Sequence, residues 1–101
     1  MPEVVACRTP AEGRDGVVNV PTWKYAAVRQ AILAVVAEAG PEGVRFSALA
    51  GAVKARLPDH VLARLGSVGW HVTTVKLNME VESELVRLKG SPQRLVSAIH
   101  G

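Results

Sequence analysis

Apolar side chains recur at three- and four-residue steps along most of this chain, the spacing expected for one buried face of an α-helix. The first such segment lies between Pro21 and Gly40, and Thr22 is in position to cap it. Gly40 and Pro41 end it, because glycine permits a left-handed cap and proline cannot continue a helix. The predicted buried face of this helix is Tyr25, Val28, Ile32, Val35, Val36 and Ala39.

Two more helices are predicted in the middle of the chain. Ser47 and Ser67 are in position to cap them. The buried face predicted for the shorter one is Leu49, Ala50, Val53 and Leu57. At ~100° per residue, the buried face predicted for the longer one is Val68, Val72, Val75 and Met79. Between the two helices, residues 60–66 have the apolar spacing of one or two further helical turns.

Short segments of alternating pattern predict a small antiparallel sheet. Residues 44–46 are long enough for one strand, between the first two helices. Residues 84–89 alternate, residues 89–93 have the composition of a hairpin loop, and residues 94–99 form the predicted return strand. The hairpin therefore follows directly after the longer helix.

The first 21 residues differ from the rest because proline and glycine punctuate them. We expect an N-terminal arm or hairpin over residues 1–21, with extended pieces at 3–7 and 16–20 and a turn at 11–15. The arm either adds a strand to the sheet or lies across the longer helix. The main domain is predicted to span residues 22–101.

Composition narrows the class of protein. A chain of 101 residues suffices for one domain and is too short for two, and with 49% apolar but only 4% aromatic residues its core is built from aliphatic side chains. Twelve basic against nine acidic residues give a net charge of +3, which is compatible with an anionic partner. The single cysteine, Cys7, fits a reducing compartment, and the longest apolar run, residues 31–37, is too short for a bilayer. We expect a cytoplasmic protein without a membrane segment.

Several short stretches carry a family resemblance. They are Lys24-Tyr25, residues 31–33, residues 43–46, Leu57-Pro58, Gly69-Trp70, residues 75–80, Ser91-Pro92 and Arg94-Leu95. In these stretches the chain resembles a family of small bacterial winged-helix proteins of uncharacterised function, over about residues 22–96. The resemblance implies an α+β fold of the winged helix-turn-helix type, with three main helices and a small antiparallel sheet whose hairpin is the wing. It implies no activity, since a fold does not determine a function.

Two positions depart from the pattern of that family. Its members tend to carry a basic residue where this chain has Thr73, which weakens a DNA contact at that place on the longer helix. They tend to carry glycine at the junction of helix and wing, where this chain has Ser83. A serine in a left-handed conformation costs more than a glycine, so the sequence does not fix the residue at which the longer helix ends.

The resemblance and the charge pattern favour a DNA-binding role of the kind seen in transcription regulators. In winged helices, one helix and the wing usually touch nucleic acid. Cations on the wing suit a phosphate backbone, although charged residues also line solvated strand edges that bind nothing. The residues predicted to contact nucleic acid are Thr73, Thr74 and Lys76 on the longer helix and Arg87, Lys89 and Arg94 on the wing.

A second hypothesis comes from an apolar stripe on the longer helix, formed by Trp70, Leu77 and Val81. These residues fall opposite the predicted core face, and monomers rarely leave such a patch bare. Either the N-terminal arm or a second copy of the chain covers them. If the arm does not, the stripe favours a protein-interaction or homodimerisation module on a winged-helix scaffold that does not bind DNA. Three acidic residues before the wing would repel phosphates and favour this alternative: Glu80, Glu82 and Glu84.

Catalytic and metal-binding motifs are not found in the sequence. His60, His71 and His100 form no metal-ligand spacing with Cys7, and no base lies beside that cysteine. The glycines follow neither phosphate-binding pattern. We therefore expect no enzymatic activity, no metal or cofactor, and no small-molecule substrate.

Overall fold

The computed structural model describes residues 3–8, 18–90 and 92–98, and over these ranges the protein has an α+β fold. Its helices are α1 (Thr22–Ala39), α2 (Phe46–Arg56), α3 (Asp59–Leu65) and α4 (Val68–Val81), with a 3-10 turn at Gly40–Glu42 after α1. Its strands are β1 (Val4–Cys7), β2 (Val18–Pro21), β3 (Val44–Arg45), β4 (Leu85–Leu88) and β5 (Arg94–Ser97). In these ranges no helix combines the length and the apolar character that crossing a membrane requires.

The first predicted helix is α1, and its start differs from the prediction. Thr22 is not the cap but the first helical residue, and Pro21 holds the N-cap position without a side-chain hydrogen bond. Pro21 also ends β2, so the strand runs straight into the helix and leaves no capping turn. The Thr22 N–H donates to the Glu3 carbonyl of the neighbouring strand segment at 2.9 Å. The predicted buried face is confirmed, except that Ala31 is buried while Ala39 is only half-buried.

The start of α2 also differs from the prediction. Ser47 lies inside the helix, and Arg45 holds the N-cap position without a side-chain hydrogen bond. The Phe46 N–H donates to the Gln93 carbonyl at 3.0 Å, so pairing with the segment before β5 continues up to the first residue of α2 and the helix begins before Ser47. The predicted strand at residues 44–46 accordingly ends one residue early. The predicted apolar face of α2 is buried or half-buried: Leu49, Ala50, Val53 and Leu57.

The longer predicted helix is α4, and both its cap and its register agree with the prediction. The Ser67 Oγ accepts the backbone N–H of Trp70 at 3.1 Å. The inner face of α4 is buried or half-buried at the predicted positions, Val68, Val72, Val75 and Met79. Trp70 therefore points away from the core, with 47% of its surface exposed. The further helical turns predicted at residues 60–66 form α3.

One sheet has the strand order β3-β5-β4, so the last strand of the chain lies in its centre. Val44 and Arg87 lie opposite Leu95, which is fully buried on the face toward the helices. Arg45 lies opposite Arg94. Because successive residues of a strand alternate between faces, these two arginines share the outer face of the sheet.

The N-terminal segment is a hairpin that packs across the helices. β1 and β2 pair antiparallel as a separate sheet and add no strand to the β3-β5-β4 sheet. Cys7 and Val20 on the inner face of the hairpin are buried, and β1 contacts both α1 and α4. Of the two predicted arrangements, the arm takes the one in which it lies across the long helix. The predicted turn at residues 11–15, and positions 91 and 99 of the predicted wing, lie outside the described residues.

A buried amide joins the N-terminal hairpin to the helices. The Oδ1 of Asn78 accepts the backbone N–H of Arg8 at 3.0 Å, and its Nδ2 donates to the Tyr25 hydroxyl at 2.8 Å. Burial raises the pKa of the Tyr25 phenol, so this phenol stays a neutral hydrogen-bonding group. Asn78 therefore contacts α1 and the residue after β1 with the two ends of one side chain.

The chain leaves α4 through a serine in a left-handed conformation. Ser83 has φ +62°, the only positive φ among the described non-glycine residues. The N–H of Ser83 donates to the Glu80 carbonyl at 3.1 Å, and the N–H of Glu84 donates to the Met79 carbonyl at 2.8 Å. This pair of hydrogen bonds is a Schellman motif, in which the residue after the cap is most often glycine.

We expect Ser83→Gly to stabilise the protein. The substitution removes the strain of a Cβ at positive φ, and the net gain after the greater freedom of glycine in the unfolded chain is about 0.5–1 kcal/mol. Urea unfolding of both proteins measures the difference. Ser83→Ala is the matched control, because it deletes the hydroxyl but keeps the Cβ and should bring no gain. Equal stabilities of the glycine and alanine variants would contradict the assignment.

Candidate functional site

The structure brings α4 and the β4–β5 hairpin together. Arg87 of β4 donates from Nε to Oε1 of Glu80 on α4 at 3.1 Å. Gln93, just before β5, accepts from Nζ of Lys76 on α4 at 2.8 Å. The helix and the hairpin that carry the predicted contact residues are thus fixed to each other by polar side chains.

Lys76 is not available to a partner, which corrects its place in the predicted contact set. Only 2% of its surface is exposed. Its Nζ lies 2.9 Å from Oε2 of Glu80 and 4.7 Å from the centroid of the Phe46 ring. The burial of Lys76 could have been predicted from the sequence. Lys76 lies four residues after Val72 and three before Met79, so it shares their side of the helix.

Arg87 is exposed but forms an ion pair with Glu80. Both ends of its guanidinium face Glu80, with Nε 3.1 Å from Oε1 and Nη2 3.3 Å from Oε2. Glu80 therefore binds two cations at once, one buried and one at the surface. Its charge is compensated within the protein, and Arg87 has less freedom to bind an external anion than the sequence suggested.

A second glutamate before the hairpin is compensated as well. Arg29 of α1 donates from Nε to both carboxylate oxygens of Glu84, at 3.0 and 2.9 Å. The hydrogen bond to Glu84 raises the pKa of the Arg29 guanidinium. Of the three glutamates predicted to repel phosphates, only Glu82 lacks an ion pair within the described ranges.

The outer face of the sheet carries a pair of arginines. Arg45 on β3 and Arg94 on β5 lie directly opposite each other, an arrangement of like charges that destabilises a sheet unless something offsets it. Arg94 reaches the Glu42 carbonyl at 3.5 Å, and within the described residues neither arginine has a carboxylate partner. Lys89, at the end of β4, is exposed. Sequence reasoning missed Arg45, because only the strand register shows that it lies next to Arg94.

The outward face of α4 is mostly uncovered. Thr73 is exposed and Thr74 half-buried. In the apolar stripe, Trp70 is 47% exposed, Val81 is 37% exposed and Leu77 is half-buried. The described strands of the N-terminal arm, β1 and β2, therefore leave Trp70 and Val81 open to solvent. Residues 1–2 and 9–17 of the predicted arm lie outside the described residues.

The histidine next to Trp70 and the cysteine have structural contacts. His71 is buried, its Nδ1 lies 2.7 Å from the Ser67 carbonyl oxygen, and its ring meets Trp70 edge to face at 4.8 Å. Burial raises the pKa of the Cys7 thiol. Across residues 3–8, 18–90 and 92–98, no three His, Cys, Asp or Glu side chains converge as metal ligands would.

The chain belongs to a family of unknown function, DUF6958, whose model matches residues 4–95. The match begins at the first residue of β1 and ends within β5. It therefore includes the β1–β2 hairpin, the helices α1 to α4 and most of the β3-β5-β4 sheet. The prediction that the chain belongs to an uncharacterised family is confirmed. No curated protein and no solved structure matches the chain.

The ion pair under the hairpin can be tested by substitution. Glu80→Gln leaves the Lys76 ammonium buried without its carboxylate, and we expect it to lower the free energy of unfolding by about 3 kcal/mol. Lys76→Met should cost less, because Glu80 keeps Arg87 as its partner. The double variant should recover most of the loss, since an apolar group replaces the buried charge. Urea unfolding of the four proteins measures the coupling, and additive losses would contradict it.

Proposed function

We propose that this protein is a winged-helix protein that binds duplex DNA in a regulatory role and catalyses no reaction. The order of elements supports the fold: α1, β3, α2, α3 and α4 are followed by the β4–β5 hairpin, and β3 pairs with the central strand β5. In this arrangement α4 takes the position of the recognition helix and the hairpin takes that of the wing. α3 lengthens the connection between α2 and α4.

The observation that carries the proposal is the set of unpaired cations on the β4–β5 hairpin and the strand beside it. Arg45 and Arg94 share the outer face of the sheet, and Lys89 lies at the end of β4. Each can contact a phosphate oxygen, which positions the protein on the duplex without reading sequence. Like charges placed side by side in this way are stabilised when a polyanion binds between or across them.

The contact set in this proposal differs from the one predicted by sequence. Arg45 joins Lys89 and Arg94 as phosphate contacts, while Lys76 is left out because it is buried. Arg87 serves mainly to hold Glu80. Thr73, the exposed threonine on α4, is the side chain best placed to reach a groove, with Thr74 beside it.

Charge reversal at the hairpin tests DNA binding. Lys89→Glu and Arg94→Glu should each weaken binding to random-sequence duplex DNA at least about tenfold near 0.1 M salt, and each should lower the slope of log K against log salt by about 0.9 or more. Fluorescence anisotropy with labelled duplex measures both quantities.

Lys54→Glu is the matched control for this experiment. Lys54 is an exposed cation on α2 with no ion pair in the part of the chain that the structure describes, and its reversal changes the net charge equally. A wild-type protein without measurable DNA affinity at ~20 mM salt, where phosphate contacts are strongest, would refute the proposal. If Lys54→Glu weakens DNA binding as much as the hairpin variants do, the loss of affinity reflects net charge and not a contact at the hairpin.

The second candidate function is self-association through the apolar stripe. Trp70, Leu77 and Val81 lie within ~40° of one another around the axis of α4, and Trp70 and Val81 remain exposed at 47% and 37%. An apolar strip of this kind suits an isologous contact with the same strip of a second copy. The protein would then be a homodimerisation module on a winged-helix scaffold.

Sedimentation equilibrium tests this second candidate. If the stripe forms the dimer contact, the wild type should sediment as a dimer at ~100 μM and Trp70→Ser should sediment as a monomer, because a buried anchor residue is removed. Trp23→Ser is the matched control, since Trp23 is exposed to a similar extent but lies on α1, outside the stripe. A monomeric wild type at that concentration would eliminate this function.

A further inference from the structure

The second exposed tryptophan has two cations near its ring. Trp23, the second residue of α1, is 43% exposed. The Nζ of Lys24 and the Cζ of Arg64 each lie 5.6 Å from the centroid of its ring. The Lys24 Nζ also donates to the Leu65 carbonyl at 3.3 Å. Trp23, Lys24 and Arg64, the tryptophan cluster, thus join the start of α1 to the end of α3.

Neither cation of this cluster is neutralised by a carboxylate. The described ion pairs use other cations: Arg29, Arg56, Lys76 and Arg87. A cation over an aromatic face keeps most of its charge and its N–H donors, so the ring orients Lys24 and Arg64 without compensating them. The cluster is therefore a second positive surface, separate from Arg45 and Arg94.

The position of the tryptophan cluster relative to α4 indicates what it binds. Leu65, which accepts from Lys24, is followed by Gly66 and by Ser67, the cap of α4. The cluster therefore lies at the N-terminal end of α4, whereas Glu80 fixes the β4–β5 hairpin to its C-terminal end. A helix of this length measures ~21 Å. The tryptophan cluster thus lies beside the N-terminal end of α4, and the hairpin that carries Lys89 and Arg94 contacts its C-terminal half.

We infer that the tryptophan cluster is a second contact for the phosphate backbone of duplex DNA, on the side of α4 opposite to the β4–β5 hairpin. The inference rests on the proposed function. The major groove is ~12 Å wide, so a helix that enters it with its N-terminal turns leaves neighbouring elements against the flanking backbones. Lys24 and Arg64 then contact phosphate oxygens, and Trp23 packs against the adjacent sugar.

The salt dependence of DNA binding tests the two cations. Lys24→Gln and Arg64→Gln should each weaken binding roughly three- to tenfold near 0.1 M salt and lower the log–log salt slope by about 0.9. Lys54→Gln removes the same charge from α2 and should leave the slope within error of the wild type. Circular dichroism melting curves establish that each variant is folded. Slopes of Lys24→Gln and Arg64→Gln equal to that of Lys54→Gln would overturn the inference.

The two tryptophans provide an independent measurement, because the chain contains no others. Trp70→Phe leaves Trp23 as the single emitter at the cluster, and Trp23→Phe leaves Trp70 on α4. Saturating duplex DNA should reduce the acrylamide quenching constant of Trp23 at least about twofold, because the backbone covers an exposed ring. Acrylamide is uncharged, so the cations do not bias the measurement. Unchanged quenching of Trp23 in saturated complex would overturn the inference.

Failure of this inference can be told apart from failure of the proposed function. If wild-type protein does not bind duplex DNA at ~20 mM salt, where counterion release favours binding most, both fail. Suppose instead that the wild type binds, that Arg94→Glu weakens binding, and that Arg64→Gln has the same affinity and salt slope as Lys54→Gln. The proposed DNA binding then holds, and the tryptophan cluster is only a packing contact between α1 and α3. The inference is supported if the hairpin variants and the cluster variants both lose affinity and salt slope, and if bound DNA lowers the acrylamide quenching of Trp23.

Discussion

The carboxylate of Glu80 fixes the β4–β5 hairpin to α4, and the geometry of the outer surface depends on it. It lies 2.9 Å from Nζ of Lys76, which is buried, and 3.1 Å from Nε of Arg87 on β4. Burying an ammonium and a carboxylate costs several kcal/mol each unless hydrogen bonds and packing offset the loss of water. Here the Gln93 amide oxygen and the Phe46 ring complete the surroundings of Lys76. Moving the hairpin away would take Arg87 from Glu80 and the Gln93 amide oxygen from Lys76, so these contacts favour the observed position of the hairpin.

Charges in this protein separate into those that hold elements together and those that remain unpaired. Arg29 joins α1 to the segment after α4, Arg56 joins α2 to α1, and Arg87 joins β4 to α4. The cations left without a carboxylate, within the described ranges, include two groups. Arg45, Lys89 and Arg94 lie on the sheet and its hairpin, and Lys24 and Arg64 lie beside the N-terminal end of α4. A modest net charge of +3 is thus concentrated on particular surfaces, where it acts on a polyanion more strongly than the total suggests.

Local sequence patterns predicted the interior of this fold, and contacts between distant segments determined the rest. The periodicity of apolar residues identified the inner face of α4, and with it the outward direction of Trp70, because helical geometry alone relates those positions. The caps at Thr22 and Ser47 were wrong because both helices begin earlier than predicted, directly after strands, with their first N–H groups bonded to the residues that precede β1 and β5. No local pattern places Arg45 opposite Arg94, since that pairing follows from the register of strands about 50 residues apart in the chain. The same holds for the stacking of Arg64 on Trp23, which joins two helices.

The two candidate functions compete for one face of α4. Thr73 lies ~60° from Trp70 around the helix axis, so a second copy seated on the apolar stripe would cover the residue best placed to reach a groove. DNA and the second copy would then exclude each other on that face, and each would lower the apparent affinity of the other by mass action. None of the five cations in these two groups belongs to the stripe, so a dimer seated on the stripe does not use them. A dimer of this kind would keep its attraction for phosphates while losing access of α4 to the bases, and self-association would act as a switch between sequence-independent and groove-directed binding.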